Sequence, residues 1–67
     1  MSVAKVTEIT AGSNKGFEEA IRKGLKRAST TLDGIRGAWV NEMSVTVKDG
    51  EIDEYRVNMK VTFVLKD

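Results

Sequence analysis

The chain has 67 residues and contains no cysteine, histidine or proline, so it sits near the lower size at which one hydrophobic core holds without disulfide or metal staples, and oligomerisation is the remaining common stabiliser. Eleven Lys and Arg stand against ten Asp and Glu, a formal net charge of +1, which supplies little of the field that non-specific nucleic-acid binding needs. Thiolate and imidazole chemistry is excluded, leaving Asp, Glu, Lys, Ser, Thr or Tyr55 for any acid–base or nucleophilic work. Met1-Ser2-Val3-Ala4-Lys5 runs straight into a strand-like pattern, with no signal-peptide apolar region and no apolar run of about 18 residues. The expectation is a soluble, cytoplasmic protein with one domain over residues 1–67 and no membrane partner.

Val3 to Ile9 reads as a short first strand with an irregularity near Thr7-Glu8, and Thr10-Ala11-Gly12 reads as the connection that follows it. Ser13 stands where an N-cap is expected, ahead of a stretch without a β-branched run until Thr30-Thr31. Along that stretch Phe17, Ala20, Ile21, Gly24, Leu25, Ala28 and Leu32 recur at three- and four-residue steps and form one apolar stripe. Glu18 precedes Arg22, and Glu19 precedes Lys23, by four residues, the favourable order for exposed helix pairs. The predicted helix ends by Asp33, with Gly34 as its C-cap. Gly24 lies on the buried stripe at a cost of about 1 kcal/mol relative to alanine. Its presence reflects either drift in a small core or a backbone approach too close for a Cβ.

The last 31 residues, Gly37 to Asp67, read as one antiparallel hairpin. Tyr55, Val57, Met59, Val61, Phe63 and Leu65 alternate with Arg56, Asn58, Lys60 and Thr62, and upstream Met43, Val45 and Val47 alternate likewise. Lys48-Asp49-Gly50-Glu51 supplies the reversal. A strict two-residue loop would set Val45 against Glu54. A loop one residue longer sets Val47 against Asp53, Val45 against Tyr55 and Met43 against Val57, which joins the apolar faces and is therefore the predicted register. Ala38 and Val40 fall out of phase with Met43, Val45 and Val47. Either a β-bulge near Asn41-Glu42 turns Trp39 and Gly37 away from the core, or there is no bulge and Trp39 is a core residue; parity leaves the two open.

The resulting class is α+β, in the order β-α-β-β, with one helix laid across a three-stranded antiparallel sheet. A strand of about 14 residues spans roughly 46 Å, whereas a helix of about 19 residues spans roughly 28 Å. The hairpin outruns its cover. Apolar strand surface that its own helix cannot reach needs another partner, and a second copy is the most available one.

No catalytic constellation is visible. Asp53 and Glu54 are adjacent in a strand and point to opposite faces, Glu18-Glu19 reads as a solvated helix face, and Gly12-Ser13 is too weak a signal for a phosphate loop. The chain is therefore not expected to be an enzyme. Lys15, Arg22, Lys23, Lys26 and Arg27 make the helix exterior basic; this reads first as a solubilising surface and secondarily as a patch for phosphate-bearing ligands or nucleic acid. The sheet's polar face carries Arg56, Asn58, Lys60 and Thr62, joined by Trp39 and Gly37 if the bulge exists. Such a face suits an ordinary interface or a flat ligand, since indole and guanidinium planes both stack.

Several stretches at matching spacing resemble the dodecins, small flavin-binding proteins: Thr7-Glu8-Ile9, Gly12-Ser13, Arg27 to Leu32, Ile35 to Glu42, Tyr55-Arg56-Val57, and Val61 to Leu65. The resemblance covers nearly the whole chain and rests on the combination, since no single stretch is a sharp motif. It implies a β-α-β-β protomer whose sheet partly wraps the helix, a homododecameric hollow shell, and storage of flavin, as riboflavin or FMN, between subunits without catalysis. It also favours the bulged reading of Trp39. Cofactor-binding positions carried over by the resemblance are Gly37, where flavin-binding members place a stacking Trp, and Arg56, where they place a Gln that pairs with the flavin ring. Gly37 offers no stacking surface and Arg56 donates but cannot accept. Trp39 lies one pleat from Gly37 and is the third candidate. The alternative to a flavin shell is a structural shell holding Ca²⁺ or Mg²⁺ through Asp and Glu oxygens, at residues the sequence does not identify.

Overall fold

The computed structural model describes residues 3–65, in the order β1 (Val3–Ser13), α1 (Phe17–Ala28), β2 (Ile35–Lys48) and β3 (Glu51–Leu65). Residues 66 and 67, which the hairpin was expected to include, lie outside the described residues. The three strands form one antiparallel sheet in the order β1-β3-β2. This is the expected α+β architecture, with β3, the most regularly alternating segment, at its centre.

β1 is longer than its composition suggests. It pairs with β3 without a register shift from Val3 opposite Leu65 to Ser13 opposite Tyr55, so the irregularity expected near Thr7-Glu8 is absent and Thr10-Ala11-Gly12 is strand, not connection. Tertiary contact overrides the weak β propensity of these small residues. A Cβ on Gly12 would stand 2.7 Å from the Glu54 carboxyl carbon, and Ala11 lies beneath the helix at Gly24. Ser13 is accordingly not the N-cap. It ends β1, buried, and its Oγ accepts the Lys15 N–H at 3.0 Å.

α1 has 12 residues, about 18 Å of helix. Gly16 stands at its N-cap without a side-chain cap, and Glu18 and Glu19 place negative charge in the first turn. The helix stops at Ala28 because Ser29 and Thr30 turn their hydroxyls onto the carbonyls of Lys26 and Arg27, at 2.8 and 2.7 Å, and a tighter turn follows, with the Thr30 N–H on the Arg27 carbonyl. Gly34 is therefore not a cap of α1. At φ 74° it opens β2, its carbonyl accepting the Val64 N–H at 3.0 Å.

The β2–β3 turn corrects the expected loop. Asp49 and Gly50 both have positive φ, 53° and 77°, the signature of a tight two-residue reversal, and Lys48 faces Glu51 while Val47 faces Ile52. Val47 does not oppose Asp53. Asp53 is instead an extra residue on β3, and the shift it introduces restores Val45 opposite Tyr55 and Met43 opposite Val57, as expected. A second bulge at Asn41 puts Val40 opposite Met59 and Ala38 opposite Val61, which resolves the parity question: Trp39 faces Lys60 on the side away from the helix.

α1 covers β1 and β3 with Ala20, Gly24 and Ala28 turned inward, and Ala20, Val57 and Met59 form the core against Ile9, Ala11, Phe17, Ile21 and Leu25. Phe17 meets Tyr55 edge-on, with ring centroids 5.1 Å apart. Gly24 marks close approach, since a Cβ there would lie 2.9 Å from the Ala11 Cβ and 2.7 Å from the Met59 methyl. The helix does not extend over β2, whose Val40, Met43, Val45 and Val47 are exposed. The protomer measures 51 × 19 × 14 Å, and its radius of gyration of 13.8 Å exceeds the about 11 Å of a compact chain of this length.

Candidate functional site

The face of the sheet turned away from α1 is built from four cross-strand rows. In chain-register order these are Gly12, Arg56 and Ser44; Thr10, Asn58 and Glu42; Glu8, Lys60 and Trp39; and Val6, Thr62 and Gly37. The strand period puts these residues on one side, and the Asn41 bulge brings Trp39 and Gly37 onto it. Gly37, Trp39 and Arg56, the three candidates from sequence, therefore share a face. Gly37 and Trp39 are in adjacent rows, and Arg56 lies two rows beyond Trp39.

Fixed hydrogen bonds hold part of this face. Asn58 is tied on both sides, its Oδ1 accepting from the Asn41 Nδ2 at 3.0 Å and its Nδ2 donating to the Thr10 Oγ1 at 3.1 Å. Arg56 Nε donates to the Glu54 carboxylate at 2.6 Å, and that carboxylate lies over Gly12. The Thr62 hydroxyl donates to the Gly37 carbonyl at 3.1 Å. Trp39 is 61% exposed, and Lys60 opposite it forms no ion pair among the described residues.

The arrangement offers an aromatic plane with an adjacent cation on a rigid strand surface. It does not reproduce the flavin seat that the resemblance implies. Gly37 presents no ring, and Arg56 is a donor already paired with a carboxylate, so neither the stacking nor the accepting contact of that seat is available. Space is not the obstacle at Gly37, where a Cβ would meet only the Thr62 hydroxyl, at 3.5 Å. Thr10 and Asn41, which lock Asn58, were missed by sequence reasoning; Asn41 carried a signal as the residue at which the alternation breaks. Glu54 was legible as a partner for Arg56, two residues away on the same strand face.

The basic helix exterior is largely engaged with its own acids. Arg22 pairs with Glu18 at 2.8 Å, and Glu19 stands 3.5 Å from Lys23 and 4.0 Å from Lys15. The Arg22 hydrogen bond holds the Glu18 carboxyl below its usual range, so that small contribution fades as pH falls through the carboxylate region. Among the described residues, no helix is long and apolar enough to cross a membrane, and no three acidic side chains gather in a way that could hold a metal ion.

The family profile for Dodecin matches residues 3–66. The calcium dodecin of Mycobacterium tuberculosis is 33% identical over 66 residues, covering 98% of this chain and 93% of that protein. The dodecin of Thermus thermophilus is 34% identical over 65 residues, covering 97% and 94%. Among solved structures, the dodecin of Streptomyces davaonensis superposes with a TM-score of 0.95 at 38% identity, covering 98% of this chain and 97% of that one. The β-α-β-β sheet, the bulged hairpin and this likeness along almost the whole chain lead to one conclusion: the chain belongs to the dodecin family.

Proposed function

We propose that the protein is a non-enzymatic homododecameric shell that holds a small flat ligand between copies, on the sheet face that carries Trp39. The observation that carries the assembly is surplus surface. The protomer exposes 5100 Å², against about 4200 Å² for a compact monomer of its mass, and much of its exposed apolar surface lies on β2 and the hairpin end. Flavin, as riboflavin or FMN, is the ligand class that family membership suggests. Because Gly37 and Arg56 do not fit the family's seat, the reading places the stacking surface at Trp39, with Lys60 beside it to favour anionic forms such as FMN.

A second reading, a shell that holds divalent cations, is supported by the Mycobacterium tuberculosis relative, whose structure is described as calcium-chelating with a calcium-binding site. Here such a site would draw acidic oxygens from more than one copy. A phosphate-ligand or nucleic-acid role for the helix face is the weaker alternative, since Glu18 and Glu19 already engage Lys15, Arg22 and Lys23, three of its five cations.

Titration of riboflavin and FMN into the protein tests the first reading, because Trp39 is the only tryptophan and reports on its own face. Mutual quenching of flavin and Trp39 fluorescence at micromolar concentrations is expected, stronger for FMN. No quenching by either flavin, together with a melting temperature that rises with CaCl₂ and falls back with chelator, would replace it with the cation shell.

A further inference from the structure

Asparagine is depleted in strand interiors, yet Asn58 stands in the middle of β3, the central strand of the sheet. It is half-buried on the face turned away from α1, in the row next to that of Trp39, and it is the only amide in the four rows of that face. Diagonal neighbours in adjacent rows have Cα atoms about 7–8 Å apart, within reach of an aromatic side chain.

The Asn58 amide is held at both ends. The Asn41 Nδ2 donates to its Oδ1 at 3.0 Å, and its own Nδ2 donates to the Thr10 Oγ1 at 3.1 Å, so one contact comes from β2 and the other from β1. An amide oxygen accepts twice and an amide nitrogen donates twice. Each lock leaves one position over, and a lone pair and an N–H remain side by side in a fixed orientation. Asn41, which supplies the β2 lock, is also the bulge that turns Trp39 onto this face. One irregularity thus sets both the stacking surface and the amide beside it. The charged neighbours cannot take the same role: Glu42, in the same row, only accepts, and Arg56 and Lys60, in the flanking rows, only donate.

We propose that Asn58 reads the edge of the ring that stacks on Trp39, which makes the ligand class a flat heterocycle with a ring carbonyl next to a ring N–H. The inference rests on the flat-ligand reading above and specifies its recognition. The free lone pair accepts from the ring N–H, and the free amide hydrogen goes to the ring carbonyl. Asn41 and Thr10 are positioning residues, holding the amide before the ligand arrives so that little ordering is left to the binding step. The pyrimidinedione end of a flavin carries this edge, and methylation of its ring nitrogen removes the donor.

Riboflavin and 3-methylriboflavin, which differ by that one methyl group, test the assignment when each is titrated into the full chain and followed by quenching of Trp39, the only tryptophan. Riboflavin is expected to bind about tenfold more tightly, the discrimination that a bidentate amide pairing gives at a base edge. In Asn58→Val, a β-branched replacement that suits a strand, riboflavin should weaken by a similar factor and the difference between the two flavins should vanish. Thr10→Val, which removes one lock and keeps the amide, should give a ratio between those of the parent and Asn58→Val. A purely structural Asn58 would weaken both flavins alike and leave their ratio unchanged. Equal affinity for the two flavins in the parent chain, or a ratio that persists in Asn58→Val, would overturn Asn58 as the reader and leave stacking on Trp39 standing. Quenching by neither flavin in the parent chain would overturn both.

Discussion

Phe63→Ala should lower stability by about 3–5 kcal/mol, the range for truncating a buried aromatic. Phe63 is 8% exposed and faces the helix side at the end of the sheet where Ile35 and Lys5 flank it. A chain of this length has about 3–10 kcal/mol of stability in all, so the variant should be largely unfolded or held together only by assembly. Denaturant titration followed by circular dichroism measures it. Tyr55→Ala makes the informative comparison. Tyr55 is half-buried and packs edge-on against Phe17, so within a lone protomer its truncation should have about half the effect. An effect equal to that of Phe63→Ala would mean that a second copy buries the rest of its ring.

The second large effect is a gain. Gly37→Trp with Arg56→Gln should raise flavin affinity at least tenfold over the parent, since one stacked aromatic contact is worth about 1–3 kcal/mol and an amide in place of guanidinium restores an acceptor. A Cβ at Gly37 is tolerated, its only near neighbour being the Thr62 hydroxyl at 3.5 Å. Replacing Arg56 also frees Glu54, which lies over Gly12, so Arg56→Gln alone separates that effect from stacking. Fluorescence titration with riboflavin reads the gain. Affinity unchanged in the double variant would place the flavin contact elsewhere on the face.

The helix stripe and the β3 alternation were legible because burial acts on them with a period, and both survive in the structure as the inward rows Ala20-Gly24-Ala28 and Val57-Met59-Val61-Phe63. Element ends were not legible, because they depend on partners distant in sequence. Gly12 stays in a strand beneath Glu54, and Ser13 is drawn into β1 instead of capping α1. The hairpin shows the limit most plainly. The demand that Val45 face Tyr55 was correct, yet the chain meets it with a tight Asp49-Gly50 turn and a bulged Asp53 rather than a longer loop, and pattern alone cannot choose between two routes to one register. Of the candidate site, the shared face of Gly37, Trp39 and Arg56 could be reached once the Asn41 bulge was admitted. The locks on it, Thr10 to Asn58 and Asn41 to Asn58, are contacts between strands that no local pattern encodes.

Surface that a lone protomer leaves open is the basis of the proposed assembly and its ligand face, and sedimentation at micromolar concentration tests the assembly directly. The expected result is one species of about 89 kDa, twelve copies of the 7.4 kDa chain; a stable, folded 7.4 kDa monomer would contradict the account.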